Sequence, residues 1–229
     1  GLGIVDALSA HGAEVFVNDL YEDRAEAAAS DLRDKGRRAQ AVAGDITKPE
    51  AVEQIKETIL TGGQALDILI HNAGVPPGML EGFAPYDKLP DDFYEAQLEL
   101  NFHAIRKLSM AFLTSMRQQK HGRIIIITSE SWRHGQEMGL SHYAAAKAAA
   151  LGYMRNVSKE IGSDQVTFNA LSLGAMNNSG ADDIAKSISA VGRSGRPEDV
   201  GAACLYLASD EAAWMTGQVI PLNGGASTA

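Results

Sequence analysis

Tyr143 and Lys147 stand four residues apart in the run Tyr143-Ala144-Ala145-Ala146-Lys147. On a helix that spacing places a phenol and an ammonium on one face. A free phenol has a reference pKa near 10 and exchanges its proton poorly at neutral pH. A cation about 4 Å away, at an effective dielectric of about 20, contributes roughly 4 kcal/mol toward the phenolate. The pair is therefore a candidate acid/base, and the alanines between leave its face uncrowded. A plain surface contact is the alternative for any Tyr and Lys at this spacing, so other residues must add weight.

Two more side chains do so. Ser129 follows the run Ile124-Ile125-Ile126-Ile127-Thr128, and a hydroxyl there can polarise a substrate oxygen; Ser131 is the competing hydroxyl. Asn101 lies between Leu100 and Phe102 within a helical stretch, where Asn is unfavourable unless its side chain has a task. Other chemistries find no support. The histidines show no HExxH or paired metal spacing, and neither a G-x-S-x-G elbow nor a P-loop appears. No metal site is expected.

A second group suits a dinucleotide. Gly1-Leu2-Gly3 opens a helix, where backbone N–H groups and the positive helix end can face a pyrophosphate. Asp19 ends the next strand, near the 20-residue distance at which a carboxylate receives ribose hydroxyls. It would repel a 2′-phosphate, which favours NAD over NADP, although Arg24 is close enough in sequence to contact one. Asp45-Ile46 and Asn72-Ala73-Gly74 close the following strands, at the ends where open α/β sheets bind ligands. The small residues of the second loop would let backbone approach a flat cofactor.

The elements that must position these residues alternate. Strands are expected at Glu14–Val17, Gln40–Ala43, Leu66–Ile70, Arg123–Thr128, Val166–Leu171 and Gln218–Leu222. Helices are expected at Ile4–His11, Glu22–Lys35, Pro49–Leu60, about Pro90–Lys120 and Ser141–Ile161. The continuously apolar Ile124–Ile127 suits a strand covered on both faces. Such alternation predicts a Rossmann-like, doubly wound parallel sheet flanked by helices, in one domain over residues 1–229. A strand that would normally precede Gly1-Leu2-Gly3 is missing, and the expectation is an N-terminal truncation, since an empty central slot would leave backbone groups unpaired.

Composition narrows the partners. The 229 residues are 45% hydrophobic and 21% charged, as in a globular protein with a sizeable core. A net charge of -9 argues against nucleic acid, and the cluster Lys35-Gly36-Arg37-Arg38 reads as a solvated helix end. Cys204 lies in an apolar run and reads as a buried structural thiol. No apolar stretch reaches the roughly 18 to 20 residues of a membrane span, and no signal-like segment opens the chain, so no membrane partner and a cytoplasmic location are expected.

Together these residues resemble the short-chain dehydrogenase/reductase family from Gly1 to about Gly225, in its 3-oxoacyl-carrier-protein-reductase-like branch. Gly1-Leu2-Gly3 looks like the end of the family's TGxxxGxG loop, and Asn72-Ala73-Gly74 like its NNAG motif with His71 in place of the first Asn. Asn101, Ser129, Tyr143 and Lys147 match its catalytic tetrad, while residues 192–199, 216–218 and 223–225 look like its C-terminal motifs. The resemblance implies that Tyr143 exchanges the proton and that Lys147 lowers its pKa and holds the nicotinamide ribose. It further implies that Ser129 orients the substrate oxygen and that Asn101 holds a water. Gly174 stands in the cofactor-binding loop after the sixth strand of the family, where Leu173-Gly174 replaces the usual Pro-Gly. The segment Ala175 to Val191, the expected substrate lid, looks short, and the loop carrying Trp132, Arg133, His134 and Met138 has its own composition. The expectation is an oxidoreductase moving a hydride between NAD(H) and a small secondary alcohol or ketone, assembled as a homotetramer or homodimer. An NADPH-dependent 3-oxoacyl-carrier-protein reductase and a catalytically silent nucleotide-binding protein are the alternatives.

Overall fold

The computed structural model describes residues 1–75, 85–135, 139–177 and 182–228. Six parallel strands are found among them: β1 (Val15–Val17), β2 (Ala39–Ala41), β3 (Ile68–His71), β4 (Gly122–Ser129), β5 (Val166–Leu173) and β6 (Val219–Leu222). They pair as a two-stranded sheet, β1-β2, and a four-stranded sheet in the order β3-β4-β5-β6. The expected single sheet is thus two, not hydrogen-bonded to each other among the described residues.

Side chains join what the backbone does not. On one face Val15 and Val17 of β1 share a cluster with Ile68 and Ile70 of β3, Ile125 and Ile127 of β4, and Leu171. On the other, Phe16 and Val42 pack with Ile124, Ile126 and Phe168. β4 feeds both layers because its apolar residues alternate faces without a polar break, and Ile124, Ile125 and Ile126 are fully buried. Each such side chain stabilises the fold by about 1.5–3 kcal/mol.

The helices between the strands are α1 (Leu2–Ala10), α2 (Glu22–Asp34), α3 (Pro49–Ile59), α4 (Asp91–Leu98), α5 (Ala104–Gln119), α6 (Ser141–Ile161), α7 (Asp182–Ile188) and α8 (Pro197–Ala208). α6 has the predicted bounds. The expected long helix over 90–120 is instead α4 and α5, joined by a π turn at Glu99–His103. α8 begins with Pro197, whose fixed φ suits a first helical position, and Asp199 accepts from the Arg196 N–H at 2.8 Å. Arg193 grips Asp199 with two bonds of 2.6 and 2.8 Å. The motif over residues 192–199 therefore serves to start a helix. No described helix is long and apolar enough to cross a membrane. Cys204 is buried, and burial pushes its thiol up to about 12, which fits a structural role.

Candidate active site

Ser129 is the last residue of β4, at the carboxyl end of the larger sheet. Its Oγ accepts the Ser131 N–H at 3.3 Å, fixing the 3-10 turn Glu130–Trp132 that follows. The hydroxyl also lies toward the phenol of Tyr143, near the start of α6, where it favours the phenolate. One turn along that helix, Lys147 is 2% exposed, with its Nζ 5.5 Å from the centre of the Tyr143 ring and donating to the Ile127 carbonyl at 3.0 Å. Strand end and helix face thus meet as the spacing predicts.

The electrostatics depart from expectation. Burial raises the Tyr143 pKa above its ordinary value, and the lowering influence on it is the Ser129 hydrogen bond, not Lys147. Burial likewise lowers Lys147 to about 8. The inferred depression of the phenol by the lysine is therefore corrected: desolvation outweighs a cation whose contact is with the ring face and whose proton is held by Ile127. In this state Tyr143 is a neutral proton donor.

Asn101 sits in the π turn, a feature that bulges one residue out of helical register and so aims it inward. It is fully buried; its Nδ2 donates to Gln97 Oε1 at 2.9 Å, while its Oδ1 has no hydrogen-bond partner among the described residues. Gly74, in the loop after β3, lies against both: a Cβ built there would be 2.6 Å from Lys147 Nζ and 3.1 Å from Asn101 Oδ1. Four segments thus bring Asn101, Ser129, Tyr143 and Lys147 together with Gly74.

The remaining candidates divide. A Cβ on Gly1 would lie 3.1 Å from Asn72 Nδ2, so the mouth of α1 and the loop after β3 adjoin. A Cβ on Gly3 would be 2.0 Å from the Pro197 carbonyl oxygen, so its small size serves the packing of α1 on α8. Asp19 Oδ1 accepts the Tyr21 N–H at 3.0 Å, and Arg24 lies 4.6 Å over the Tyr21 ring. Asp45 Oδ1 accepts from Thr47 N at 3.0 Å and Thr47 Oγ1 at 2.7 Å, ordering its loop, while the Ile46 side chain packs into the core. That leaves the Ile46 backbone as the part free to meet a ligand. Gly174 donates to Leu222 O at 3.1 Å, and a Cβ on it would strike the Asn223 backbone at 2.8 Å. Met138 and residues 178–181 of the expected lid lie outside the described residues.

Sequence reasoning missed three contributors. Gln97 had a signal, standing four residues before Asn101 on the same helical face. His71 was noted only as a departure; it is buried, bonds Ser109 on α5 through Nε2 at 3.0 Å, and is lowered to about 3 by burial and then by Lys147. Glu130 had the signal of a charged residue directly after a buried strand.

The unpartnered Asn101 oxygen and the buried ammonium thus stand side by side against the glycine of the loop after β3, polar groups able to hold hydroxyl groups. Comparison with known proteins places the chain in a family. The family model described as Enoyl-(Acyl carrier protein) reductase matches residues 1–227. A curated relative, the 3-oxoacyl-(acyl-carrier-protein) reductase FabG of Escherichia coli, is 32% identical, aligned over 98% of this chain and 91% of its own. Two solved structures share the fold over all of this chain. A putative gluconate dehydrogenase from Agrobacterium tumefaciens has a TM-score of 0.91 at 22% identity, with 93% of that chain covered. A gluconate 5-dehydrogenase from Burkholderia cenocepacia, solved with NADP and tartrate, has a TM-score of 0.89 at 24% identity, with 92% covered. The chain belongs to the short-chain dehydrogenase/reductase family. Its activity class is that of an NAD(P)-dependent dehydrogenase/reductase acting on CH–OH or keto groups.

Proposed function

We propose that this protein transfers a hydride between NAD(H) and a small or medium secondary alcohol or ketone, with Tyr143 as the proton-transfer residue. The observation that carries the reading is buried Lys147, its Nζ 5.5 Å from the centre of the Tyr143 ring and against Gly74, with Ser129 at the strand end favouring the Tyr143 phenolate. The nicotinamide supplies the hydride when bound; placement and protons fall to the chain. Ser129 orients the substrate oxygen, and neutral Tyr143 donates its proton as a carbonyl becomes an alcohol, or accepts one in reverse. Lys147, with Nζ against the space above Gly74, holds ribose hydroxyls there. The free Asn101 oxygen accepts from a water that links Lys147 to solvent.

Gly1, Asn72 and Gly74 would line the phosphate and ribose path, Asp45 and the Ile46 backbone the adenine end, and Gly174 the nicotinamide end. Asp19 favours NAD: its Oδ1 is engaged by the Tyr21 amide, and a second oxygen remains to accept a ribose hydroxyl. The alternative, an NADPH-dependent 3-oxoacyl-carrier-protein reductase, draws support from the Escherichia coli relative and from Arg24, held over Tyr21 as a cation near the same ribose. Assembly as a homotetramer or homodimer in the cytosol belongs to the same reading, with exposed Met110 on α5 and exposed Trp214 as apolar surface for it.

The test is turnover of secondary alcohols and ketones followed by nicotinamide absorbance, with NAD(H) and NADP(H) compared. NAD(H) is expected to give the higher kcat/KM, and Asp19→Ala to shrink the preference by about tenfold, a change of about 1.4 kcal/mol. A wild-type preference for NADPH, unchanged by Asp19→Ala, would favour the second reading.

A further inference from the structure

Glu130 is 8% exposed and follows the candidate reactive serine directly. A buried carboxylate is costly unless polar groups surround it, and an apolar side chain of its size would serve the fold as well or better. Here groups from distant parts of the chain engage one carboxylate oxygen, Oε2, while Oε1 is buried without a hydrogen-bond partner among the described residues. Asn223 Nδ2 and Ser227 Oγ each donate to Glu130 Oε2 at 3.1 Å. The Ser172 hydroxyl on β5, which receives the Trp132 Nε1–H at 3.0 Å, also favours the carboxylate form. Arg133 adds a favourable charge, and His134 Nε2 lies 3.9 Å away.

The contacts continue outward. Asn223 closes the turn 223–227 on itself, donating to Ser227 O at 3.2 Å and accepting the Gly225 N–H at 2.9 Å. Gly224 in that turn accepts from Ser189 Oγ at 3.2 Å and from the Val191 N–H at 3.1 Å, just beyond α7. A continuous set of polar contacts therefore runs from Glu130 through the C-terminal turn to the segment 182–191.

We propose that Glu130 is a positioning residue that clasps the C-terminal turn, and through it the segment after α7, against the strand end bearing Ser129, so setting the substrate side of the site. The kinetic half of this proposal rests on the function proposed above; the clasp itself does not. Glu130→Gln keeps the shape and removes the charge that strengthens both bonds to Oε2. Amide hydrogen exchange on the free protein should then quicken about tenfold at Val191 and Gly225, with β5 unchanged, and Ser227→Ala should act in the same direction. Glu130→Asp should restore part of the protection. In turnover assays Glu130→Gln should lower kcat/KM for the carbonyl substrate about tenfold while leaving KM for the nucleotide nearly unchanged. Unchanged exchange at Val191 and Gly225 in both variants overturns the clasp. Quickened exchange with an unaltered kcat/KM overturns its positioning role. Absence of turnover in the wild type counts against the proposed function instead, and the exchange result still decides the clasp.

Discussion

Burying an ammonium and a phenol along one helix face shifts each toward its neutral form, Lys147 down to about 8 and Tyr143 upward. The direction for Tyr143 is opposite to what the four-residue spacing alone implies, because spacing reveals proximity but not desolvation. It also makes Lys147 the group that titrates nearest the working range. Its ammonium is present below about 8 and lost as pH rises through that value. Since kcat/KM reports ionisations of the free enzyme, kcat/KM for the nucleotide should fall as pH rises through about 8, and Lys147→Met should remove that limb along with most activity. A profile flat across that range would mean that the lysine charge is not needed for nucleotide capture.

At the level of helices and strands, six strands and α6 were legible because their signals are local: β-branched runs, and an alanine-rich segment bounded by Ser141 and Gly162. The π turn was not, since nothing local distinguishes Glu99–His103 from ordinary helix; only the unusual Asn101 hinted at it. α7 and α8 went unassigned because their sequences read first as motif and lid. Gly3 shows the same limit, for its partner Pro197 is far away in sequence. A Cβ on Gly3 would meet backbone at 2.0 Å, and one on Gly201 would meet the Gly3 carbonyl oxygen at 2.2 Å. Gly3→Ala and Gly201→Ala should each destabilise by about 3 kcal/mol, since backbone cannot step aside as a side chain can. Gly152→Ala, in α6 with nothing within 4 Å, should stabilise by about 0.5–1 kcal/mol. Denaturant midpoints check both; an undisturbed Gly3→Ala would contradict the close α1–α8 contact.

Taken whole, the molecule carries buried imidazoles that respond to acid. His71 is lowered to about 3 and His142 is lowered as well, burial being the leading cause for each. A group whose folded pKa is depressed favours the folded state fully above its unfolded value, near 6.5, and loses that contribution as pH falls toward the folded value. For His71 the window runs from 6.5 down to about 3 and amounts to about 5 kcal/mol. Asp199, lowered to about 2 chiefly by Arg193, loses its part at more acid pH, so the two are separable. His71→Asn should flatten the stability profile between neutrality and mild acid; an unaltered slope would show that His71 is not the sensor. The central claim is that residues gathered from a strand end, two helices and a loop form one reaction centre, and Tyr143→Phe tests it most directly. The variant is expected to bind NADH, by fluorescence titration, as the wild type does, and to lose turnover by at least about a thousandfold. Turnover retained alongside normal NADH binding would contradict it.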